Sequence, residues 1–133
     1  PALFTVNSSG LGAAATLNQD GSINTPANPA DKGTVAVLFA TGEGQTNPGG
    51  VDGLIASSVP LPGPVGQVSV LIGGPPGVGK SAAVLYAGAA PSLVAGVMQI
   101  NIVIPPDSPS GNVPLSISVG GVNSGEMTTV SIR

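Results

Sequence analysis

The chain has 133 residues, no cysteine, no histidine and a net charge of −3, and only 7% of its residues are charged. That length suits one domain, residues 1–133, able to withdraw roughly two thirds of the unfolded chain's surface from water. The composition excludes a disulfide framework, a thiolate metal site and histidine acid–base chemistry. Its three bases, Lys32, Lys80 and Arg133, disfavour nucleic acid, which demands clusters of Lys and Arg.

In chain order, Pro1–Val6 (PALFTV) predicts a short first strand, followed by a Ser/Gly loop over Asn7–Gly12. Ala13–Leu17 predicts a second strand, closed by Asn18-Gln19-Asp20-Gly21-Ser22 with Asp-Gly in the turn. Ile23–Ala30 (INTPANPA) reads as loop. Thr34–Thr41 (TVAVLFAT) is apolar at successive positions and predicts a central strand covered on both faces. Gly42–Pro64 is a long Gly-, Pro- and Ser-rich connection. Gln67–Ile72 alternates cleanly, and Ala82–Tyr86 is expected beside it.

The organising stretch follows. Met98, Ile100, Ile102 and Ile104 alternate with Gln99 and Asn101, and Val113, Leu115, Ile117 and Val119 alternate with Pro114, Ser116 and Ser118. Period-two alternation of this length predicts half-buried antiparallel strands. Pro105–Asn112 between them is dense in turn-forming residues. Gly120-Gly121 opens the last turn and Met127–Ile132 the last strand. With 21 glycines and 14 prolines punctuating the apolar runs, the expected fold is all-β. Its expected form is an immunoglobulin-like Greek-key β-sandwich of about seven or eight antiparallel strands.

One segment looks like chemistry. Gly74-Pro75-Pro76-Gly77-Val78-Gly79-Lys80-Ser81 satisfies the G-x-x-x-x-G-K-[ST] pattern after a strand. In a phosphate-binding loop Lys80 would reach the β- and γ-phosphates and Ser81 would hold magnesium. Such a loop must open a helix, yet Gly88 and Pro91 leave room for under two turns. Gly74, Gly79, Lys80 and Ser81 are therefore read as a coincidental match within a β-hairpin loop. Nucleotide binding is kept only as a remote alternative.

Other candidates carry less. Glu43 and Asp52 are the acids closest in sequence, and in a glycine-rich loop they read as solvated carboxylates and not as an acid–base pair. Asn18, Asp20 and Ser22 could donate oxygens to calcium, but a plain turn explains them. Tyr86 is expected to be a core or corner tyrosine with its hydroxyl on backbone. Asn7-Ser8-Ser9 is a formal glycosylation sequon. No enzyme activity, cofactor or metal is expected. No run of ~18 apolar residues predicts a membrane-spanning helix.

Three stretches carry a resemblance: PALFTVNSSGLGAAATLNQDGS at residues 1–22, LFATGEGQTNP at Leu38–Pro48, and YAGAAPSLVAGVMQINIVIPPDSPSGNVPLSISVGGV at Tyr86–Val122. Together the chain resembles an uncharacterised family of C-terminal domains of large secreted acidobacterial proteins, departing from it at Pro75–Ser81. The resemblance implies a secreted β-sandwich without known enzymatic activity, and no functional residue carries over.

The resulting expectation is a non-catalytic structural or adhesive module, extracellular or at the cell surface. It begins at Pro1 and is read as a processed chain or the C-terminal module of a larger protein. A surface this poor in charge lacks the usual protection against strand pairing between chains. Self-association or contact with neighbouring modules is expected, with Ala2, Leu3, Phe4, Thr5 and Val6 as the segment for strand exchange into fibres or sheaths. The alternative expectation is a glycan- or small-ligand-binding module using loop 42–64.

Overall fold

The computed structural model describes residues 1–125 and 127–133. The chain is all-β: among the described residues there are twelve strands and no helix. They are β1 (Ala2–Leu3), β2 (Gly12–Ala13), β3 (Thr16–Leu17), β4 (Val35–Thr41), β5 (Thr46–Asn47) and β6 (Gly63–Pro64). The remainder are β7 (Val68–Ile72), β8 (Lys80–Ala89), β9 (Met98–Val103), β10 (Gly111–Val119), β11 (Val122–Asn123) and β12 (Thr128–Ile132). Ten of them form one sheet, whose main path runs β1-β4-β9-β8-β7-β10-β12-β2; β3 adds to β4 and β11 to β10, while β5 and β6 pair separately.

The sheet curls, and β8 shows why. Lys80, Ser81 and Ala82 pair with β7, whereas Ala83–Ala89 pair with β9 on the opposite edge, with a bulge between Val84 and Tyr86. A bulge bends its strand and increases twist, so the ladder turns a corner at β8 without breaking. The expected division into two separate sheets is therefore replaced by one continuous curled sheet. The pairing is antiparallel along the main path except for β12 with β2, which is parallel.

The two alternating runs behave as the period demands. Met98, Ile100, Ile102 and Ile104 are fully buried, with Gln99 and Asn101 half-buried on the other face. Val113, Leu115 and Ile117 of β10 join Val70 and Ile72 of β7, Val130 and Ile132 of β12 and Leu38 of β4 in one contiguous core. Burying side chains of this size is worth about 1.5–3 kcal/mol each, which makes this interior the main source of stability. The strand β4 departs from expectation. It buries only Ala36, Leu38 and Ala40, and leaves Val35, Val37 and Phe39 half-exposed. Its second face is only partly covered, so hydrophobicity on both faces overstated its burial.

The two ends of the curl meet at the first hairpin. Phe4 N–H donates to Phe39 O at 3.0 Å, binding the segment to β4. Val6 N–H donates to Ala13 O (2.9 Å) and Ala15 N–H to Phe4 O (2.7 Å), while Ala14 N–H donates to Thr129 O in β12 (2.9 Å). Residues 2–17 thus staple β4 to β12. The expected second strand, Ala13–Leu17, is accordingly split: one half serves β12 and the other β4.

Asn24 completes the outer edge of β12. Its amide nitrogen donates to Ser131 O (2.8 Å) and its amide oxygen accepts from Ser131 N–H (2.9 Å), as a neighbouring strand's peptide would. Ala30 N–H also donates to Ser131 O (2.9 Å). Ile23–Ala30, read from sequence as loop, is an edge cover.

Candidate functional site

The phosphate-loop look-alike lies in the turn between two antiparallel strands, as the hairpin reading expected. Gly74 and Gly79 serve that turn. A Cβ on Gly74 would stand 2.7 Å from Val78 O, and one on Gly79 2.9 Å from Ile72 O, so the backbone here is too close for any side chain. Val78 N–H is used within the loop, on Pro75 O at 2.8 Å. Lys80 and Ser81 are exposed at the start of β8, not at a helix N-terminus. The Lys80 ammonium ion-pairs with the Asp107 carboxylate and donates to Asp107 O at 3.0 Å. Its presence holds that carboxyl below the usual aspartate range, first through the hydrogen bond.

The oxygens of the first turn are also occupied. Asn18 is buried; its Oδ1 accepts from Asn24 (2.9 Å) and its amide nitrogen donates to Asn28 O (3.0 Å). Asp20 Oδ1 accepts from the backbone N–H (3.0 Å) and hydroxyl (2.5 Å) of Ser22, bonds that lower its pKa. Asn18, Asp20 and Ser22 form a hydrogen-bonded turn. Asn7 likewise folds back on Ser9 in an exposed loop, its Oδ1 2.8 Å from the Ser9 hydroxyl.

Tyr86 matches its expected role. It is half-buried and donates its hydroxyl to Ala89 O at 2.7 Å. Its ring crosses Gly88, where a Cβ would meet the tyrosine oxygen at 2.8 Å. Burial raises the phenol's pKa, and the nearby charge of Glu43 raises it further.

Residues 42–64 are better ordered than their composition suggests. Thr46 and Asn47 pair with Pro64 and Gly63, making a two-stranded neck. Above it the loop lies along residues 92–95: Ala56 N–H donates to Leu93 O (2.9 Å), Ser92 N–H to Ala56 O (2.8 Å) and Ala95 N–H to Leu54 O (2.8 Å). This ladder holds Val51, Leu54, Ile55, Val59, Leu93 and Val94 at one end of the molecule, all exposed.

Glu43 departs from expectation. Gly42 and Gly44, both with positive φ (80° and 71°), turn the chain on either side of it. The carboxylate swings inward, and Oε2 is buried without a hydrogen-bond partner among the described residues. Burial pushes its pKa up. The solvated-acid reading therefore holds for exposed Asp52 and only in part for half-buried Glu43. An isolated acid between two glycines, just beyond a buried strand, was the available signal. Gly42 also meets the chain's start, since a Cβ there would lie 2.7 Å from Pro1 Cα.

Among the described residues, no group of three or more Asp and Glu side chains converges as a metal site. Among those residues no helix is long and apolar enough to cross a membrane. No family model, curated protein or solved structure matches the chain.

Proposed function

We propose that the chain is a non-catalytic contact module of a secreted or cell-surface protein, assembling with copies of itself through exchange of its first strand. One observation carries this reading. The Ala2–Val6 segment, β1 and the residues that follow it, is two-faced, with Leu3 and Thr5 buried in the curl while Phe4 and Val6 are exposed. Its place between β4 and Ala13–Ala15 could be filled equally by the same segment of a second copy. Exchange of an identical element conserves every contact and costs little beyond the linker's rearrangement.

The surface supports the same reading. Two of the three bases are engaged in exposed ion pairs, Lys80 with Asp107 and Arg133 with Asp31. Apolar side chains crowd the loop end of the molecule, and scarce charge offers little resistance to association. The finer architecture proposed is an immunoglobulin-like Greek-key sandwich whose halves share β8. The resemblance to terminal domains of secreted acidobacterial proteins favours a location outside the cell.

Light scattering over a wide concentration range, with electron microscopy of concentrated samples, tests the proposal. Concentration-dependent dimers and longer chains are expected. A monodisperse monomer at every concentration, with no polymers, would contradict it.

A further inference from the structure

The chain has three aromatic residues, Phe4, Phe39 and Tyr86, and none belongs to the core. All three lie on the outer face of the β1-β4-β9-β8 part of the sheet. Phe39 stands opposite Gln99, and Gln99 opposite Gly88; opposed residues of an antiparallel pair share a face. Their strand neighbours Leu38, Met98 and Ile100 are in the core, so this row faces out. At one end the β1 register continues to place exposed Phe4 beside Phe39. At the other end Gly88 has no side chain, and the Tyr86 ring lies across it. Phe4, Phe39, Gln99 and the Tyr86 ring thus cross four strands in line, a span of about 14 Å at the usual strand spacing. The rows beside it hold Val37 and Asn101, then Val35, Val103 and Ala83, and carry no charge. Gln99 Nε2 donates to Asn101 Oδ1 at 2.8 Å. The remaining amide atoms, Gln99 Oε1 and Asn101 Nδ2, take no partner among the described residues and are not shut away from water. Whichever way this amide pair is turned, one donor and one acceptor stay free.

We propose that this face binds a neutral oligosaccharide of equatorially linked pyranose rings, whose flat C–H surfaces lie on the aromatic row. Three features select that chemistry. Aromatic rings present an apolar surface with a negative π face, which attracts the weakly positive C–H groups of a sugar ring. The Tyr86 hydroxyl is already spent on Ala89 O, so the ring is what that residue offers. A free donor and a free acceptor side by side suit hydroxyl groups, which both donate and accept; a proline-rich peptide would bring acceptors only. The uncharged rows match an uncharged chain and give an acidic one nothing to pair with. Strand exchange would replace Phe4 by the same residue of another copy and leave the row intact, so this proposal and the self-assembly reading fail separately.

The experiment is an amide NMR titration of the full chain at neutral pH. Its probes are cellopentaose, xylopentaose and chitopentaose, beside trigalacturonate and a blocked hexaproline peptide. Expected are saturable shifts at Phe39, Tyr86, Gln99 and Asn101 with at least one neutral pentasaccharide, at roughly millimolar affinity or tighter. Trigalacturonate and hexaproline should produce none. Phe39→Ala, checked by its spectrum to be folded, should weaken binding about tenfold or more, and Phe39→Tyr should keep it. Gln99→Met retains the length of the side chain without its amide and should weaken binding about fivefold. Leu54→Ser, in loop 42–64, should leave it unchanged. The absence of saturation with all three neutral pentasaccharides, an equal response to trigalacturonate, saturation by hexaproline alone, or binding unmoved by Phe39→Ala or by Gln99→Met would overturn the proposal.

Discussion

Glu43 is held by backbone, not by partners: two glycines with positive φ turn it inward and no described group donates to its buried oxygen. Burial raises its pKa in the folded chain, while the unfolded chain keeps the ordinary value of roughly 4.3. Between those two values the unfolded state ionises first, so stability falls as pH rises through that window and stays reduced above it. Asp52 lines the same cleft and Tyr86 lies near the carboxyl, and neither provides a positive charge. Glu43→Gln removes the penalty. Urea midpoints should show the variant more stable than the parent at pH 7, with the difference vanishing near pH 3.5. A variant less stable at pH 7 would mean that the carboxylate has a stabilising partner. The exposed Asp20, Asp31 and Asp107, whose pKa values are lowered by hydrogen bonds, act oppositely. Their contributions are present above the ordinary aspartate value and are lost as pH falls through the lowered ones.

Among the elements, β12 shows how an edge is finished without a full strand. Gly12 and Ala13 cover one end, Ala30 bridges to Ile132, and Asn24 supplies a side-chain amide where a backbone peptide would otherwise stand. Asn24→Ala would leave the buried Ser131 N–H without its acceptor, at a cost of about 1–3 kcal/mol. Denaturant unfolding would measure it, and a loss below about 0.5 kcal/mol would show that the edge does not depend on this amide. This cover was hidden in the sequence, because Asn and Pro in INTPANPA signal loop and the bonds span 107 residues. The strands β9 and β10 were legible because a period of two needs no distant partner to be read. The extent of β8 was not, since its alanines and glycine carry little alternation and Lys80-Ser81 mimicked another motif. Loop 42–64 was illegible for a related reason: its order comes from backbone bonds to residues 92–95, which no local pattern encodes.

At the scale of the molecule, an aliphatic interior is enclosed by a sheet that curls at β8 and is closed by the first hairpin. Composition announced the all-β class and the low charge, but closure depends on pairings between the chain's start and both β4 and β12. On the proposed reading, this closing Ala2–Val6 segment is the one exchanged between copies. The most direct test uses the absence of native cysteine. Ala2 and Thr41 are direct partners across β1 and β4, where opposed Cα atoms lie about 4.5–5.5 Å apart, within disulfide reach. The double variant Ala2→Cys, Thr41→Cys should be oxidised at high protein concentration and run on a non-reducing denaturing gel. Strand exchange predicts covalent dimers and a ladder of higher multimers that collapse on reduction. Oxidation giving only the internally bridged monomer would contradict it.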